Sequence, residues 1–224
     1  MKYVLVAFAC LALAACEPSS GEADSAATTT DIAPIATDAP AGRYTLDKTH
    51  ATLHFRVNHL GFSHYTGGFT AFDATLDFNP ADPAAMQFEG TVDVASLSLP
   101  NPPAGFVTEL LGKTWFEADT YPQITFRSTS VTLTSPNTAD VTGDFTMHGV
   151  TKPLTLAVTF NGGYAGHPYD PNGRIGFSAQ GTLNRSDFGI VYGIPEAGST
   201  MGVSDAVDLV MEAEFSGPPL AAPE

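Results

Sequence analysis

Cysteine is almost absent: the two that exist, Cys10 and Cys16, both fall in the first sixteen residues. The body of the chain therefore has no disulfide, no thiolate metal site and no cysteine nucleophile. Positive charge is scarce too. Nine Lys and Arg against 24 Asp and Glu leave a formal net charge of −15, which argues against a nucleic-acid partner and against attraction to anionic headgroups. Long apolar runs are missing apart from Tyr3–Leu13, and that run falls short of the roughly 20 residues a transmembrane helix needs. Ser63, Ser128 and Ser186 lack a G-x-S-x-G elbow, and no glycine-rich phosphate loop precedes a helix. No internal repeat is visible.

What is present begins with Lys2, the apolar run, and then Leu13-Ala14-Ala15-Cys16. This reads as a secretory signal over residues 1–15 ending in a bacterial lipobox, with Cys16 acylated; a plain soluble secreted chain is the alternative. Cys10 leaves with the signal, and modification is the simplest account of the one cysteine that stays. The expectation is a lipid-anchored protein on the periplasmic side of the bacterial envelope, held to the membrane by acyl chains rather than by a basic patch. Residues 16–42 are the acylated cysteine and a tether of Ser, Ala, Thr, Asp, Pro and Gly, with Ile32 and Ile35 the large apolar exceptions. As a flexible coil, residues 17–42 would reach roughly 30 Å. Residues 217–224 read as a second unstructured tail, leaving residues 43–216 for one domain.

In that domain apolar residues recur at every second position. Ala51, Leu53, Phe55 and Val57 alternate with Thr52, His54, Arg56 and Asn58, and Phe72, Ala74, Leu76 and Phe78 alternate with polar neighbours. The same period runs through Val141/Phe145/Met147, Leu154 to Phe160, Ile175 to Leu183 and Val207 to Phe215. These are strands with one apolar and one polar face. Turn chemistry at Asn79-Pro80, Ser135-Pro136-Asn137, His148-Gly149 and Asp170-Pro171-Asn172-Gly173 separates them into antiparallel neighbours. Only Phe106 to Phe116 has helical spacing. About eight long one-faced strands hide faces and edges together by closing into an antiparallel barrel. A two-sheet sandwich competes, and long strands with few breaks favour the barrel.

Several motifs then fall in a familiar order: Tyr44-x-Leu46-Asp47-x-x-His50; Phe55-x-Val57-x-His59-x-Gly61-Phe62-Ser63 with Gly68-Phe69; Trp115-Phe116-Glu117-Ala118-x-x-Tyr121-Pro122-x-Ile124-x-Phe126; Gly143-Asp144-Phe145 through His148-Gly149-Val150-Thr151-Lys152-Pro153; and Asn184-Arg185-Ser186-Asp187-Phe188-Gly189. Together they resemble the YceI-like family over nearly all of residues 43–216. Ala104 to Leu111 departs from it, where the family usually carries a polar pair before His-Leu. The resemblance implies an eight-stranded, lipocalin-like barrel with one short helical segment, holding a long amphipathic lipid such as a polyisoprenoid or isoprenoid quinone and requiring no other cofactor. The residues alone leave open whether the barrel holds a ligand or fills itself as a structural or protein-interaction lipoprotein. Fifteen phenylalanines against one tryptophan suit an apolar lining. The candidate lining is Phe55, Val57, His59, Phe62, Phe69, Phe72, Leu76, Phe126, Phe145, Met147, Phe160 and Phe177.

Histidine offers the main opening for chemistry. His54, His59 and His64 are spaced so that His59 faces away from the other two on a strand, which argues against a shared metal. His59 keeps the parity of Phe55 and Val57, so it is either a hydrogen-bonded core histidine or a contact for a ligand headgroup. Asp47 and His50, like Arg185 and Asp187, suit an ion pair or turn clamp better than catalysis. The chain is read as a binding protein rather than an enzyme.

Overall fold

A computed structural model describes residues 32–219. The signal, Cys16, the tether as far as residue 31 and the last five residues, 220–224, lie outside the described residues. The alternating segments become ten β-segments: β1 (Gly42–His59), β2 (Ser63–Phe69), β3 (Phe72–Phe78), β4 (Gln87–Asp93), β5 (Leu97–Ser98), β6 (Gln123–Ser135), β7 (Thr138–Met147), β8 (Val150–Tyr164), β9 (Asn172–Asn184) and β10 (Val203–Pro219). All pairings are antiparallel, and β10 returns to pair with β1, so the sheet closes on itself.

The ten segments make eight strands, because two of the strands are kinked. β2 pairs with the second half of β1 and β3 with its first residues, in nearly continuous register. β4 pairs with β3, and β5 with β2. Thus β2/β3 and β4/β5 each act as one bent strand of a closed eight-stranded barrel. The bends lie side by side: Asp93 N–H donates to the Ala71 carbonyl at 2.9 Å and Thr70 N–H to the Ser96 carbonyl at 3.2 Å. Beside them β1 bulges. Leu46 faces Phe215 and Ala51 faces Ala213, so the four residues Asp47 to His50 stand against Glu214 alone, an excess of three on the β1 side. That is why inward positions are even before the bulge (Tyr44, Leu46) and odd after it (Ala51, Leu53, Phe55).

The bulge is held by its own side chains. The Asp47 carboxylate accepts from Thr49 N–H (3.0 Å), Thr49 Oγ1 (2.6 Å) and His50 Nδ1 (3.1 Å), and pairs with Arg174 at 2.6 Å. Arg174 also reaches Asp170, which accepts from the Tyr164 hydroxyl. This network ties the β8–β9 turn to β1, the clamp expected of Asp47 and His50, though its arginine is Arg174.

At one end the barrel is capped. Helix α1 (Phe106–Leu111) is shorter than the span to Phe116: Gly112 ends it, and Glu117 has a positive φ of 44°. The connection from β9 to β10 folds over the same end around Arg185, only 5% exposed. Its guanidinium donates to the carbonyls of Ser204, Ile190, Tyr192 and Val203 and stacks 5.3 Å from the Trp115 ring centre. Burial pulls its pKa down, with Asp205 opposing. Asp187 pairs instead with Lys152 at 2.8 Å.

Both domain boundaries shift outward from the sequence reading. Ala39, placed in the tether, is 3% exposed, and the Tyr44 hydroxyl donates to the Pro40 carbonyl at 2.9 Å. At the other terminus β10 runs to Pro219, with Gly217 against the Tyr44 ring, where any larger residue would clash. Small residues and prolines read as loop by composition, yet here they pack precisely because they leave room for a buried tyrosine.

Candidate functional site

Inward-facing side chains enclose an apolar cavity of about 280 Å³, just under the roughly 300–1,000 Å³ of small-molecule pockets. It runs from Ile124 and Leu154 inside the barrel to Val131, Leu133 and Ala139, where β6 and β7 project past the end of β4. The β4–β6 ladder stops at Glu89 and Arg127, and beyond it Phe88 N–H donates to the Ser128 hydroxyl at 2.8 Å. The two strands part there, and the parting opens the mouth. Pro34, Pro80, Pro83 and Pro136 all border the cavity at this end, together with Ile35, Met86 and Asn137. A rim rich in proline presents carbon and few N–H donors to an apolar guest.

One aromatic belt forms much of the wall. Rings of Tyr44, Phe78, Phe160, Phe177, Phe215, Phe88 and Phe126 follow one another at centroid spacings of 5.3 to 6.4 Å. All but Tyr44 border the cavity. Two of these contacts, Phe78 with Phe160 and Phe88 with Phe215, reach across the lumen rather than along one wall, so the barrel is partly filled by its own rings. Burial raises the pKa of the Tyr44 hydroxyl.

Of the candidate lining residues, Phe55, Phe69, Phe72, Leu76, Phe126, Phe145, Phe160 and Phe177 border this cavity. Four do not. Val57 is inward but nearer the capped end, and Met147 is 6% exposed within the core beneath the chamber. His59 is exposed at the end of β1, and Phe62 is 83% exposed in the following turn. His59 is the last residue of β1, beyond a register shift against β10, and Leu60 and Gly61 after it both have positive φ, so strand parity no longer applies at Phe62. His54 and His64 are exposed as well. Among the described residues no three His, Cys, Asp or Glu side chains converge to hold a metal ion.

Small residues contribute unequally. Ala74 and Ala179 border the chamber, whereas the space above Gly143 is taken by the Phe126 ring. Sequence reasoning missed Phe88, which joins the two core clusters and the belt. Its alternation with Met86 was legible, but Gly90 interrupts the pattern, and a glycine there makes room for the Phe88 ring itself.

At the capped end His148 is a second polar feature. Its Nδ1–H donates to the Phe188 carbonyl at 2.9 Å, while Nε2 is buried without a partner, 3.8 Å from Glu117. Arg185 and His148 fix the cap; neither borders the chamber.

Comparison with known proteins places this geometry. A model of the YceI-like domain matches residues 44–215. A UPF0312 protein of Pseudomonas putida is 42% identical over 156 residues, 68% of this chain and 78% of the relative. One from Pseudomonas savastanoi pv. phaseolicola is 40% identical over the same length and shares. Among solved structures, BcnA of Burkholderia cenocepacia superposes with a TM-score of 0.64 at 28% identity, covering 75% of this chain and 98% of that one. A polyisoprenoid-binding domain from Saccharophagus degradans superposes with a TM-score of 0.57 at 13% identity over 80% of this chain and all of that one, a likeness of fold.

Proposed function

The chain belongs to the YceI-like family, and from that premise we propose that its chamber holds the prenyl chain of an isoprenoid lipid, a polyprenoid or an isoprenoid quinone. The protein acts as a carrier or buffer in the bacterial envelope, attached to the membrane through acylated Cys16. The observation that carries this reading is the chamber itself: about 280 Å³ between aliphatic and aromatic walls, opening through a proline-rich rim. Such a wall gives no hold to a charged substrate, whereas each buried CH₂ contributes about 0.8 kcal/mol before ordering losses. The polyisoprenoid-binding domain of the same fold from Saccharophagus degradans supports the choice of ligand. The polar end would rest at the mouth, near Asn137 and Thr37, both of which border it.

Native mass spectrometry of the protein extracted from membranes tests this. Retention of a prenylated lipid, or uptake of a long-chain quinone or polyprenol, is the expected result. A clean apo mass with no uptake refutes it and favours the self-filled barrel, the reading that the two ring contacts across the lumen would then support.

A further inference from the structure

We propose that residues 34–37 form a strap across the mouth of the chamber that must lift for a guest to pass. The proposal rests on the reading of the cavity as a ligand chamber. By composition this segment belongs to the tether, yet Pro34, Ile35 and Thr37 border the chamber from above. A recess open to solvent, of about 360 Å³, lies against residues 35–38 as well, between them and Asn137, Phe160 and Gly163. The strap is thus a thin partition between two spaces rather than a packed part of the core.

Its attachments are few and unequal. Among the described residues the hydrogen bond joining it to the barrel is Ile35 N–H to the Pro136 carbonyl, at 2.7 Å. Ile35 remains 46% exposed, so only about half of its side chain gains from burial. Directly after the strap the chain is gripped firmly: Ala39 is buried against Gly163, and Pro40 accepts from Tyr44. A weakly held segment ending at a fixed point is the construction of a flap, and local opening of this kind needs far less than global unfolding. The wall below does not offer another way in, because β10 closes on β1 and the cap covers the far end.

The test replaces Pro34, Ile35, Ala36 and Thr37 by Gly and Ser in the full-length chain, which keeps the length and leaves Ala39 and Pro40 in place. Stopped-flow mixing with two probes, farnesol and the apolar dye N-phenyl-1-naphthylamine, reads uptake and release separately. A gate predicts that both rates rise together, by roughly tenfold for loss of half a buried isoleucine and of the stiffness that Pro34 and Ile35 give the segment, with Kd changed less than about threefold. Unchanged rates overturn the strap. So does faster release alone with a weaker Kd, since the segment would then be only a piece of wall. Dye rates that respond while neither chain binds farnesol keep the strap and refute the isoprenoid reading. If neither chain takes up the dye, there is no passage to gate and the strap is refuted.

Discussion

Lengthening the guest one isoprene unit at a time should trace the depth of the chamber. On β6 the lining extends from Ile124 to Leu133, nine steps of about 3.3 Å, or about 30 Å along the strand. A strand tilt of about 40° leaves about 23 Å along the barrel axis. An extended isoprene unit, four chain carbons, advances about 5 Å by ordinary bond lengths, so the lining is four to five units long. Gross transfer of five carbons would contribute about 4 kcal/mol, but the net yield for ligands of this size is nearer 0.3 kcal/mol per heavy atom, or about 1.5 kcal/mol per unit. That is about tenfold in Kd for each unit. Titration calorimetry with a quinone headgroup bearing one to seven units, delivered from cyclodextrin, should therefore show a tenfold gain per unit up to about four or five and a plateau beyond. Delivered from vesicles, the same series should be nearly flat, because each unit then leaves hydrocarbon as apolar as the barrel. Affinity in water that does not change between one and four units would refute the burial argument; a gain that continues evenly to seven would refute the depth.

Ala179 borders the chamber between Val158 and Met211; Ala179→Trp should abolish prenyl uptake in native mass spectra and, by overpacking, cost about 1–3 kcal/mol, and undiminished uptake would place the guest elsewhere. Arg185→Leu leaves four carbonyls without their donor and should lower urea stability by about 3 kcal/mol or more, while the folded fraction keeps its prenyl affinity because the cap does not line the chamber. Hydrogen bonds from Thr49 and His50, then Arg174, hold the Asp47 carboxyl well below the usual carboxylate range, so its stabilisation is complete above the unfolded value of about 3.9 and fades as pH falls beneath it. Asp47→Asn should accordingly melt earlier than the parent at pH 7, with the gap narrowing below about pH 4; a gap as wide at pH 3 would remove Asp47 as the cause. Cys16→Ser should release the protein from membranes while leaving its β-rich circular dichroism unchanged, and retention through a high-salt and carbonate wash would show that acylation is not the anchor.

The barrel was legible because burial on one face writes a period of two into long strands, and Leu154 to Phe160 or Val207 to Phe215 carry it almost unbroken. What parity could not see is where a strand ends or slips. His59 sits at the exposed end of β1, where the register against β10 shifts, and Phe62 lies past the turn at Leu60 and Gly61, while the change of phase between Leu46 and Ala51 marks a bulge whose presence only the pairing with β10 makes plain. Composition misjudged the chain before Gly42 for a related reason: Ala39 packs through its small size, not through hydrophobic mass. Arg185 suggested a carboxylate partner by its place near Asp187, but backbone carbonyls took that role, Ile190 and Tyr192 from the connection that follows it and Val203 and Ser204 from the start of β10, and no side-chain pattern encodes them.

The cap over the far end has a consequence for traffic. None of residues 99–122 or 185–202 borders the chamber, so the barrel is a blind vessel and not a pipe. A molecule that goes in tail first must come out head first through the doorway it used. A carrier built this way would meet donor and acceptor with the same face in turn, never at once, and any handover would be a visit followed by a departure.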